Sequence, residues 1–89
     1  METQQIDQEL MNLRRQINQL DNQLLQLLEA RFEISKEIGE VKKRKGLPIE
    51  DLAREKEIIE SKCGKTDLDE GFVKKYFELI FEESKRLQK

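Results

Sequence analysis

An apolar residue recurs through the first half of this chain in alternating steps of four and three. Ile6, Leu10, Leu13, Ile17, Leu20, Leu24, Leu27, Ile34, Ile38 and Val41 hold the register, and Arg31 fills its one apolar gap. That is the seam of a heptad repeat. No proline interrupts it, and Gly39 is the only glycine inside it. The spacing predicts one helix from about residue 5 to about residue 45. Lys42, Lys43, Arg44 and Lys45 crowd its last turn, where cations complement the helix dipole, and Gly46 and Pro48 end it. A helix of ~40 residues is about 60 Å long. An 89-residue globule cannot cover such a rod by itself, so the seam predicts pairing with a second copy.

Composition agrees. Charged residues make up 40% of the chain and hydrophobic ones 36%. That is a thin supply for a private core in a chain whose size already makes it marginal. One domain, residues 1–89, is expected. A second helix is predicted over about 49–62, with Ile49, Leu52, Ile58 and Ile59 on one face and Gly64 closing it. "KTDLDEG" reads as a turn in which Asp67 and Glu70 have capping-box spacing. A third helix follows over about 68–87, lined by Phe72, Val73, Tyr76, Phe77, Ile80, Phe81 and Leu87. No strand pattern, internal repeat or low-complexity run is visible. The fold class is therefore all-α: a long, a short and a medium helix joined as antiparallel hairpins, dimerised along the first.

Several function classes drop out. A net charge of −2 argues against a general nucleic-acid binder. No apolar run approaches the roughly 18 residues of a membrane span. The start "METQQIDQEL" lacks the apolar stretch of a signal peptide, and the single cysteine, Cys63, offers no internal disulfide. A cytoplasmic protein is expected. The chain has no histidine, which removes imidazole acid–base chemistry, Ser-His triads and His-ligated metals together. A lone cysteine without a histidine is a poor nucleophile. Any reaction here is expected to need no metal, no cofactor and no covalent attack.

The informative residues are polar ones on apolar stripes. Arg31 sits on the seam, and an unpaired buried guanidinium is very costly, so it should meet an anion or a wet pocket. A glutamate of a neighbouring helix would also serve. Lys42 lies eleven residues further on, three turns and about 16 Å along the same face. Two cations so placed can hold a small, multiply charged anion, although Lys42 also fits a solvated helix end. Asp51 and Glu55 share a face of the second helix, with Arg54 beside them. Asp51 equally suits a helix cap, and Arg54 and Glu55 suit the surface. Ser84 and Gln88, four apart, continue the inner line of the third helix; so close to Lys89, Gln88 is expected to fray. Arg14 flanks the seam about 25 Å from Arg31. It can join the same site only from the other protomer of an antiparallel pair.

These residues together resemble an all-helical chorismate mutase over nearly the whole chain. The likeness rests on "LRRQINQLDNQLLQLLEAR" (13–31), "IGEVKKRKGLPIEDLAREKEII" (38–59) and "LIFEESKRLQ" (79–88). The resemblance implies a three-helix protomer in an intertwined homodimer, with two sites lined by both chains. It implies conversion of chorismate to prephenate, a unimolecular Claisen rearrangement that fits a chain without histidine. It further implies that Arg31 and the partner's Arg14 pair with the two substrate carboxylates. Lys42 and Gln88 would donate to the ether oxygen, Lys42 also to a carboxylate. Glu55 and the backbone near Asp51 would take the ring hydroxyl, and Arg54 and Ser84 would complete the carboxylate shell.

Two rival readings use the same features. An isochorismate-pyruvate lyase would be built on the same scaffold from similar cations. An antiparallel coiled-coil interaction module would explain the seam, but it leaves Arg31, Lys42, Glu55 and Gln88 without a purpose.

Overall fold

The structure, a computed structural model, describes residues 2–89, with side chains from Asp7 onward. Three helices follow one another: α1 (Glu2–Lys45), α2 (Leu52–Cys63) and α3 (Glu70–Gln88). There is no strand among the described residues, as the all-α reading requires. The chain divides into two units, residues 1–31 and 32–89, with the boundary inside α1.

The first unit is the N-terminal length of α1. Its residues 7–27 are exposed without exception. That includes the seam: Leu13 is 57% exposed, Ile17 58%, Leu20 57% and Leu27 67%. The side chain of Ile6, the first seam position, lies outside the described ones. In the single chain this helix thus carries a continuous uncovered apolar stripe.

The second unit holds the end of α1, then α2 and α3. The chain leaves α1 through Gly46, whose φ of +66° is the left-handed conformation that glycine adopts without penalty. The Gly46 N–H donates to the Lys43 carbonyl (3.3 Å) and the Leu47 N–H to the Lys42 carbonyl (2.9 Å). This pair of reversed bonds satisfies two orphan carbonyls of the last turn, and Pro48 prevents the helix from resuming.

α2 starts three residues later than the spacing predicts. Asp51 caps it, accepting the Arg54 N–H at 3.0 Å, and the Ile49 carbonyl is taken by a lysine of α1 instead of by a helical N–H. α3 also starts later, at Glu70 and not 68. Its cap is Asp69, which accepts the Phe72 N–H at 2.9 Å, and not Asp67 of the anticipated capping box. The Thr66 hydroxyl accepts the Leu68 N–H at 3.2 Å and turns the chain locally before the helix begins.

The apolar core of this unit comes from α3. Val73, Ile80 and Phe81 are buried, and Phe72, Tyr76, Phe77 and Phe81 form a chain of ring contacts with centroids 5.2–6.3 Å apart. α2 buries no residue fully; Ile58 and Ile59 are half-buried and Leu52 is exposed. α1 does not offer its seam here either, since Ile34 is 56% exposed and Ile38 44%. It buries Ser35 and Gly39, one turn apart on a neighbouring line. Ser35 meets Ser84 and Gly39 meets Gln88, so this end of α1 runs parallel to α3. Lys85 pairs with Glu55, which puts the start of α2 beside the end of α3 and makes α2 antiparallel to it.

Candidate active site

Of the polar residues singled out in the second unit, Lys42, Glu55, Ser84 and Gln88 meet at the last turns of α3, and Asp51 and Arg54 do not. Ser84 and Gln88 lie one turn apart on its inner face and both are buried, at 6% and 8% exposure. The Ser35 hydroxyl donates to the Ser84 hydroxyl at 3.1 Å. Gln88 is the last helical residue, and its backbone lies directly over Gly39. An interhelical contact, invisible in the local sequence, thus covers the turn that was expected to fray.

Lys42 reaches this place from the end of α1. Its ammonium donates to the Ile49 carbonyl at 2.8 Å and to Gln88 Oε1 at 3.3 Å. An ammonium has three N–H donors and no acceptor. Two are therefore committed to the protein and one is left for a ligand. The same chemistry orients Gln88: only the amide oxygen can face a lysine, so the amide N–H₂ is turned away from it. The result is an ammonium beside the amide oxygen of a buried glutamine, in a place where hydrogen bonds are stronger than in water. The open turn built on Gly46 and Pro48 supplies the Ile49 carbonyl that steadies the lysine.

Glu55 projects from the first turn of α2. Its carboxylate pairs with Lys85 at 3.1 Å, and both side chains are mostly covered, at 21% and 28% exposure. Lys85 also approaches Glu50 at 4.0 Å. A carboxylate near an anion site would repel the anion; the pairing with Lys85 offsets that charge and leaves Glu55 able to accept a hydrogen bond. Asp51 caps α2 with its side chain, while its carbonyl accepts the Glu55 N–H at 3.1 Å. Arg54 is exposed, with its guanidinium 3.7 Å from Glu57. On the outer side of the last turn, Arg86 hydrogen-bonds Glu83. That bond, ahead of the charge attraction, holds the Glu83 carboxyl below its usual range and raises Arg86.

Arg14 and Arg31 belong to the first unit. Arg14 is exposed beside Met11, Ile17, Asn18 and Asp21, and Arg31 is half-buried. Among the described residues no group of three or more His, Cys, Asp or Glu side chains is placed to hold a metal.

Residues 13–89 match the family described as chorismate mutase type II. The chain belongs to that family. A chorismate mutase of Methanocaldococcus jannaschii is 35% identical over 85 residues, covering 92% of this chain and 86% of the relative. The bifunctional chorismate mutase/prephenate dehydratase of Escherichia coli K12 is 37% identical over 78 residues, which are 84% of this chain but 20% of that protein. The chain thus spans about a fifth of this bifunctional relative. Among solved structures, a conserved hypothetical protein from Pyrococcus furiosus superposes with a TM-score of 0.76 at 40% identity, covering 90% of this chain and 95% of that one.

For a chain of the chorismate mutase family, the structure also shows groups in contact with the candidate residues that sequence reasoning did not assign to the site. They are the Ile49 carbonyl, the Ser35 hydroxyl, Lys85 and Gly39. Only Gly39 left a signal: a lone glycine inside a 44-residue helix costs about 1 kcal/mol against alanine, and such a glycine usually has a packing reason.

Proposed function

We propose that this chain is a chorismate mutase that isomerises chorismate to prephenate in the branch of aromatic amino-acid biosynthesis leading to phenylalanine and tyrosine. The observation that carries the reading is the Lys42–Gln88 pair, which sets an ammonium beside a buried side-chain amide at 3.3 Å. In the rearrangement the ether C–O bond breaks as a C–C bond forms within the same molecule. No proton is transferred, and negative charge grows on the ether oxygen. The protein's task is to hold the compact conformer and to stabilise that charge. The remaining N–H of Lys42 and the amide N–H₂ of Gln88 fit the ether oxygen. Lys42 also serves a carboxylate, and the Ser84 hydroxyl lies within the same inner face.

The remaining roles extend the same reading. Glu55, charge-balanced by Lys85, and the backbone near Asp51 accept the ring hydroxyl. Arg31 and Arg54 serve the carboxylates, with Arg14 supplied by the partner subunit; Arg54 must turn from Glu57 to do so. Residues 1–89 then act as one domain in an intertwined homodimer. The exposed seam supports this. Eight of its side chains, from Leu10 to Leu27 with Ile34 and Ile38, are 41–67% exposed. Covering each contributes about 1 kcal/mol, so two copies gain on the order of 15 kcal/mol, which matches the upper part of the usual cost of association.

The test is to incubate the purified protein with chorismate, follow its loss and identify the product. Prephenate is expected. Untouched chorismate, with pyruvate released from isochorismate, would replace this reading by the lyase. No turnover of either, and no thermal stabilisation by chorismate, would leave the interaction module.

A further inference from the structure

Gly39 is where α1 and α3 come closest. A Cβ built on it would lie 2.8 Å from Gln88 Cα, 2.9 Å from Gln88 Cβ and 3.0 Å from the Gln88 carbonyl oxygen. Two of those three atoms are backbone, so no rotamer change of Gln88 relieves the overlap; the end of α3 must move. All three belong to one residue, and that residue's side-chain oxygen is held by Lys42, one turn further along α1. By contrast, Gly46 has open space where its Cβ would be, and Gly64 only ordinary contacts.

We propose that Gly39 is a positioning residue for the reaction: its missing side chain sets how far the Gln88 amide stands from the Lys42 ammonium. The proposal rests on the mutase reading of the site. Gly39 touches no substrate. It acts by letting the last turn of α3 lie against α1, so that the side chain four residues beyond Ser84 ends beside Lys42 and not in solvent. A methyl group there displaces the Gln88 backbone by a few tenths of an ångström or more. The 3.3 Å bond from Lys42 is long enough to break under such a shift.

The measurement is a kinetic cycle on the full chain with chorismate as substrate: the parent protein, Gly39→Ala, Gln88→Ala and the double variant. Circular dichroism, thermal melting and hydrogen exchange of the peptide covering residues 82–89 accompany it. Gly39→Ala is expected to lower kcat by about 10- to 100-fold, with KM changed only a few-fold. In the Gln88→Ala background the same substitution should cost less than about threefold, since the group it positions is gone. Exchange in the last turn of α3 should quicken while the rest of the chain keeps its protection. Equal losses in both backgrounds, a loss confined to KM, or unchanged kcat would each overturn the proposal. So would a Gly39→Ala chain without a cooperative melt, because that is plain packing. A parent protein that does not turn over chorismate would instead refute the mutase reading. In that case the exchange experiment alone decides whether Gly39 docks the turn.

Discussion

Two stretches of α1 treat water in opposite ways. Between residues 10 and 27, leucine and isoleucine face solvent. Between residues 35 and 42, a serine and a glycine are buried, and a lysine is half-buried. Ordinary partitioning buries leucine and isoleucine and leaves serine and lysine to solvent. The contrast separates two jobs on one helix. The C-terminal stretch packs against its own chain, where Ser35 meets Ser84 and Gly39 meets Gln88. The N-terminal stretch carries the exposed apolar stripe. The contrast supports the proposal that the stripe pairs with a second copy.

The harshest way to break the contrast is to charge the stripe. Leu20→Glu should abolish dimerisation in sedimentation experiments and take activity below detection, while the hydrogen-bonded end around Lys42 keeps its chemistry in principle. A variant that remains an active dimer would show that the stripe is not the interface.

Next comes the sharing of sites between subunits. Arg14→Ala and Arg31→Ala should each be inactive alone. Mixed and allowed to exchange, half of the dimers are hybrids, and each hybrid keeps one intact site, so activity should return to about a quarter of the parent. No recovery after demonstrated exchange would confine each site to a single chain.

Within the polar stretch, Lys42→Ala should lower kcat by roughly 10² to 10³, the usual cost of removing one preorganised donor to developing charge. A rate within a few-fold of the parent would deny Lys42 its role. The smallest effect belongs to Lys85→Met, which leaves Glu55 without its partner. Loss of one partly exposed ion pair, at about 1 kcal/mol, corresponds to about a fivefold rise in KM for chorismate with kcat nearly unchanged. A fall in kcat would give Lys85 a more direct part.

How much of this was legible follows the range of the interactions. The long helix was legible because its signal is periodic and repeated. The antiparallel hairpins followed from Gly46, Pro48 and Gly64. Which aspartate caps α3 was not: Asp67 and Asp69 offer the same chemistry two residues apart, and a hydrogen bond from Leu68 to Thr66 decides between them. At the site, residue types pointed to Lys42, Glu55 and Gln88, but nothing local could say that Gln88 is held. Its neighbours in sequence are the end of the chain, and its neighbour in space is Gly39, 49 positions away. The carbonyl of Ile49 was unreadable for a different reason, since every residue carries one.

The two bonds that Lys42 makes within its own chain have a thermal consequence. A lysine side chain has up to ~2 kcal/mol of rotamer entropy to lose. Here the chain surrenders much of that freedom when it folds, to Ile49 and Gln88, before any ligand arrives. On the proposed reading substrate meets a donor that is already held, so the entropy of arranging it falls on folding and not on catalysis. The activation entropy of turnover should therefore sit near zero, and it should turn more negative in any variant that loosens either bond, even where the rate at one temperature hides the change.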